Sequence, residues 1–151
     1  MTITRQQAEV ELVRRAKKKM LVVKMLVTTD GTNEDLSGPL AYAGRAVGLT
    51  LASPITLTAA DLAALDDGML DEFLDRAELR LLENIEGNID VVDITLGPHR
   101  ESKNQLAEQI QKLIKSKRES IVATYGDAVG DLTVSSMLLN FSSKHDDTVT
   151  S

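Results

Sequence analysis

Apolar positions recur at helical spacing through most of the chain, and the longest clean example is 66–86, DDGMLDEFLDRAELRLLENIE. Leu70, Leu74, Ala77, Leu81 and Ile85 stand four, three, four and four residues apart, so they line one side of a helix. Phe73, Leu79 and Leu82 widen that stripe. Asp66 or Asp67 suits an N-cap, Asp71 and Glu72 fall where the helix dipole favours anions, and Gly87 suits a left-handed stop. The predicted outer face carries Asp71, Glu72, Asp75, Arg76, Glu78, Arg80 and Glu83. Its one ion pair of note, Glu72 with Arg76, contributes about 0.2–0.5 kcal/mol. Burial of the apolar stripe therefore has to hold this helix.

The remaining elements follow from the same pattern. Thr4 with Gln7 reads as a capping box, and Ala8, Leu12, Ala16, Met20, Val23 and Val27 then trace a first helix, closed by the turn residues Asp30, Gly31, Thr32 and Asn33. A second helix starts at Ser37 with Pro39 in its first turn, points Leu40, Ala43 and Val47 inward and stops at Gly48. Its small residues Ala41, Ala43, Gly44 and Ala46 let a neighbour pack closely. Residues 49–57, with Pro54, read as an extended connector. Thr58 with Asp61 caps a short helix that turns Leu62 and Leu65 inward, and Asp66-Asp67-Gly68 separates it from the central one.

Beyond Gly87, the β-branched run Ile89, Val91, Val92, Ile94 and Leu96 predicts a short extended segment, which has to pair within the chain or with another subunit. Ser102 caps a last helix with Leu106, Ile110, Leu113, Ile114, Lys117 and Ile121 along one side and a stop at Gly126. The resulting class is mainly α: a small helical bundle over 1–126 with a short extended segment, followed by an extended C-terminal arm over 127–151. The arm holds the apolar residues Leu132, Val134, Met137, Leu138, Leu139 and Phe141. Such an arm either packs on its own domain or adds to a partner's sheet edge or groove.

Composition narrows the function. With 151 residues and 42% hydrophobic content the chain can bury one core, and zero cysteines exclude disulfides, thiolate nucleophiles and cysteine-ligated zinc. Aromatic content of 3% without Trp leaves few platforms for stacking bases, and a net charge of -6 argues against general DNA binding. The apolar patch over 20–27 is interrupted by Lys24 and is too short to span a bilayer, which takes about 20 apolar residues. It lacks signal-peptide flanks as well.

Charge is unevenly distributed. The first helix carries Arg14, Arg15, Lys17, Lys18, Lys19 and Lys24, and the last carries Lys103, Lys112, Lys115 and Arg118. Between them, residues 61–93 are strongly acidic, with Arg76 and Arg80 the only cations. The basic faces fit a solvated surface, an acidic partner or nucleic-acid phosphate. The segregation gives either complementary faces that orient copies of the protein or compensation within one molecule.

Candidate chemistry is sparse. His99 and His145 lack zinc-ligand spacing, Gly126 and Gly130 are not followed by the residues of a phosphate loop, and the acids Asp66, Asp67 and Asp71 lack calcium-loop spacing. The expectation is a non-enzyme with no metal and no cofactor.

The run TAADLAALDDGMLDEFLDRAELRLLENI, through Thr58, Asp61, Leu62, Leu65, Asp67, Leu70, Leu74 and Ala77, resembles the head-tail connector, or adaptor, proteins of tailed bacteriophages. The resemblance extends over 58–126 and implies a structural protein of the virion neck, made in the bacterial host cytoplasm. It implies a ring, commonly dodecameric, between the portal and a downstream neck or tail protein, with DNA only passing through the channel and no membrane contact. Carried onto this chain, Leu132, Val134, Met137, Leu138, Leu139 and Phe141 become the portal-binding arm. Arg14, Arg15, Lys17, Lys18, Lys19, Lys112, Lys115 and Arg118 become subunit contacts or channel wall. A head-completion or decoration protein, or a small helical regulator binding DNA through 14–24, are the alternatives.

Overall fold

The computed structural model describes residues 2–89 and 103–126. In order they form α1 (Arg5–Val22), α2 (Glu34–Ala46), the short α3 (Ala59–Ala63), a 3-10 turn (Asp67–Met69), α4 (Leu70–Ile89) and α5 (Lys103–Tyr125). The fold is mainly helical, with no strand among the described residues. The C-terminal arm, most of the expected extended segment and the Ser102 cap lie outside the described residues.

α4 is the central element: it is apolar on more than one side and is contacted by each of the other long helices. Phe73, Leu74, Ala77, Leu79, Leu81, Leu82, Ile85 and Ile89 are all buried, and α1, α2 and α5 each pack against it. Side-chain partners fix the directions. Arg15 of α1 reaches Asp75 and Glu78, whereas in α5 Gln111 meets Glu86 and Tyr125 meets Asp75. α5 therefore runs antiparallel to α4. Burial of this stripe stabilises the bundle by about 25 cal/mol per Å² of apolar surface removed from water.

Local signals set most boundaries. Thr4 Oγ1 accepts from the Gln7 amide at 3.2 Å while Gln7 Oε1 accepts from the Thr4 amide at 2.9 Å, completing the first capping box. Thr58 and Asp61 form the second in the same way. Gly48, at φ 93°, ends α2 with amide bonds from Gly48 to Arg45 and from Leu49 to Gly44. Gly44 itself admits Leu57 so closely that an added Cβ would lie 3.2 Å from its Cδ1.

Several expectations are corrected. α1 ends at Val22 rather than continuing through Val27, because Lys24 adopts φ 58° and the amides of Lys24 and Met25 bond back to Leu21 and Met20. That is the Schellman closure with lysine in the position glycine usually fills. α2 is capped by Asn33, not Ser37: Asn33 Oδ1 accepts from the amides of Asp35 at 2.9 Å and Leu36 at 3.3 Å. Pro39 consequently lies past the first turn. α4 runs through Gly87 to Ile89, so Ile89 belongs to the buried stripe and not to an extended segment. Arg76 turns inward, 5% exposed, rather than lining the outer face. Leu113 leaves the buried side of α5 and is 43% exposed. Among the described residues, no helix is long and apolar enough to cross a membrane.

Candidate interaction surfaces

The acids of α4 meet the bases of α1 and α5 in one seam. The apolar positions Ile110, Ile114 and Ile121 leave Lys117 as the polar member of α5's inward stripe, at spacings of four, three and four. Its Nζ lies 2.9 Å from Asp75 Oδ1 and 3.0 Å from Glu78 Oε2. Arg15 Nη1 approaches the same two oxygens at 3.0 and 2.9 Å, and Tyr125 Oη donates to Asp75 Oδ2 at 2.9 Å. Two cations thus share two carboxylates across three helices.

Burial pushes the Asp75 carboxyl up, yet the hydrogen bonds from Lys117 and Tyr125 and the Lys117 charge outweigh it and leave it below the ordinary range. Burial likewise pulls Lys117 down, and its bonds to Asp75 and Glu78 reverse the balance. Burial and then the Asp75 carboxylate push the Tyr125 phenol up to about 12. Asp75 and Lys117 are thereby held charged and Tyr125 is held as a donor at neutral pH.

Farther along α4, Glu83 accepts from Arg118 at 2.8 Å and Arg80 at 3.1 Å, and the Arg80 guanidinium lies 5.1 Å from the Tyr42 ring centroid. Arg76 Nε meets Glu72 at 2.9 Å, and its Nη2 donates to the Gly126 carbonyl at 3.2 Å.

The cations singled out in the sequence divide accordingly. Arg15 and Arg118 pair with α4, and Arg14 pairs with Glu11 of its own helix. Compensation within the molecule accounts for these. Lys17 and Lys18 on α1, and Lys112 and Lys115 on α5, are exposed. Lys19 is half-buried beside Leu82 and Leu113. The outward face of α1 also shows Val10, 48% exposed, and Leu21, 52% exposed, in register with Arg14 and Lys17. The arm residues Leu132, Val134, Met137, Leu138, Leu139 and Phe141 lie outside the described residues.

A second polar cluster escaped the sequence pattern. Glu9 is fully buried and joins α1 to the chain that leads into α2. Its Oε1 accepts from Arg5 Nε and from the Asn33 amide, both at 3.1 Å, and its Oε2 accepts from the Gly31 amide at 2.7 Å. Arg5 continues to the Asn33 carbonyl and Ser37 Oγ, and Asn33 Nδ2 donates to the Leu26 and Thr28 carbonyls at 2.9 Å. The available signal was Glu9 itself, which falls beside Ala8 and three residues before Leu12 on the buried side.

Among the described residues, no three acidic, histidine or cysteine side chains are grouped to hold a metal ion. Comparison with protein-family models, characterised proteins and solved structures gives no match to this chain.

Proposed function

We propose that this chain is a structural virion protein, a head-tail adaptor that assembles as a dodecameric ring between the portal and a downstream neck or tail protein, around the path of the DNA. The observation that carries the reading is the division of charge over the fold. The carboxylates Asp75, Glu78 and Glu83 are engaged by Arg15, Lys117 and Arg118 inside the molecule. Lys17, Lys18, Lys112 and Lys115 remain outward on the flanking helices, while Asp66 and Asp71 are exposed where α4 begins. Unlike surfaces on one body favour head-to-tail contacts between copies, and such contacts close into rings when the rotation permits. The capped α3, the acidic turn and the long α4 also follow one another in the order the adaptor resemblance implies.

In this role the exposed lysines contact the next subunit or the channel wall, and 132–141 engages the portal. Deleting 127–151 is expected to leave a folded helical body that neither co-purifies with the portal nor enters particles. Incorporation of the truncated protein at the normal level would contradict the assignment of the arm.

A further inference from the structure

A groove of about 350 Å³ lies between the start of α1 and the start of α4, lined by Thr2, Ile3, Gln7, Glu11, Leu70 and Leu74. Two of its polar members, Gln7 and Glu11, are already engaged. Gln7 Oε1 accepts from the Thr4 amide at 2.9 Å, and Glu11 is held by Arg14 at 2.5 Å and Arg15 at 3.0 Å. With those needs met from inside, Ile3, Leu70 and Leu74 form a surface that favours an apolar occupant.

The chain carries such an occupant close by. α5 ends at the same end of the bundle: Tyr125 bonds to Asp75, and the Gly126 carbonyl accepts from Arg76, two residues along α4 from Leu74. Leu132, the first of the apolar run Leu132, Val134, Met137, Leu138, Leu139 and Phe141, follows Gly126 by six peptide steps, a reach of roughly 20 Å. A segment tethered this closely meets the groove at an effective concentration on the order of millimolar, well above that of an equivalent segment on a free molecule.

We propose that the groove between α1 and α4 is the docking site of the chain's own apolar run, 132–141. Docking would bury apolar side chains of the run against Ile3, Leu70 and Leu74. Any partner that takes the run as an arm must first displace it from Ile3, Leu70 and Leu74. The proposal rests on the groove and the tether alone and goes beyond the adaptor reading, so the two can fail separately.

The test uses the full chain without any partner. Because the sequence has no cysteine, Thr2→Cys provides a single site at the groove for a nitroxide label. Paramagnetic broadening of backbone amide signals is then measured along 127–151. Docking predicts that broadening peaks within 132–141, and that Leu70→Glu removes the peak while leaving the broadening of α1 amides unchanged. Leu70 is only partly buried, and a carboxylate in a first helical turn suits the dipole, so this variant keeps the fold. Broadening that declines steadily from Gly126, or that ignores Leu70→Glu, overturns the proposal. So does a peak seen only when a spin-labelled chain is mixed with an isotope-labelled, unmodified one, because the occupant is then a second copy.

Discussion

The cluster around Glu9 and the seam around Asp75 use the same side-chain types under opposite conditions. Glu9 is fully buried and, among the described residues, is the one carboxylate shown bonded to Arg5 and to the amides of Gly31 and Asn33. In the seam, Asp75 and Glu78 stay partly exposed, at 26% and 19% of their side chains, and each is served by both Arg15 and Lys117. Removing the shared acceptor in a dry site strands the three donors it binds, whereas removing one of two cations at a wet site leaves the other in place. The first cluster thus fixes how the chain turns from α1 into α2. The second tunes how three formed helices sit together.

Substitutions can break or sharpen that contrast. The largest effect is expected from Glu9→Ala, a loss of about 3–5 kcal/mol, because it leaves Arg5 Nε and two backbone amides without their acceptor and the Arg5 charge without its carboxylate. Urea unfolding should show a lower midpoint at an unchanged slope. Asn33→Ala follows at about 2 kcal/mol, since it removes the cap of α2 and both amide bonds to the Leu26 and Thr28 carbonyls. Lys117→Met keeps the aliphatic stem and should cost no more than about 1 kcal/mol, with the deficit shrinking as salt is added. A loss at Lys117 as large as that at Glu9 would erase the distinction between the clusters.

Acid acts on the more exposed ion pairs. The hydrogen bond from Arg14 draws the Glu11 carboxyl down to about 2, against an opposing effect of burial and with help from Arg15, and Asp75 is also lowered. Folded values below the unfolded ones mean that the contribution is complete above the unfolded carboxylate pKa, about 4, and is lost as pH falls toward 2. Thermal melts across that window should show a falling midpoint, and Glu11→Gln should flatten the part of the decline nearest 2. The smallest effect is expected at Gly87. An added Cβ meets nothing within 4 Å there, so Gly87→Ala should raise stability by about 0.5–1 kcal/mol.

Gly87 also illustrates what periodicity could and could not convey. The stripe of α4 was legible because apolar burial imposes a spacing, and both capping boxes were legible because they require specific side chains three residues apart. A glycine only permits a stop. At Gly87 the helix continues because Ile85 and Ile89, four residues apart, both remain on the buried side. The converse holds at Lys24, where the left-handed turn is made by a residue that gives no sign of it. Ser37 and Asn33 are both good caps, and Asn33 prevails because its amide group also ties down Leu26 and Thr28.

Burial of charged groups was the least legible feature. Arg76 resembled a solvated helix position, yet its guanidinium finds Glu72 on its own helix and the Gly126 carbonyl fifty residues away. The cations over 14–19 look uniform in sequence and separate in space. Arg15 enters the seam, Arg14 folds onto Glu11, and Lys17 and Lys18 face outward. Those outward lysines are the part of the basic pattern that the proposed assembly uses.

The most direct test of that assembly is to tag the protein in its native source, purify it gently and weigh the intact complexes by native mass spectrometry. The adaptor reading predicts a dodecameric ring carrying a portal-sized partner. A monomer or dimer with no virion partner would contradict it.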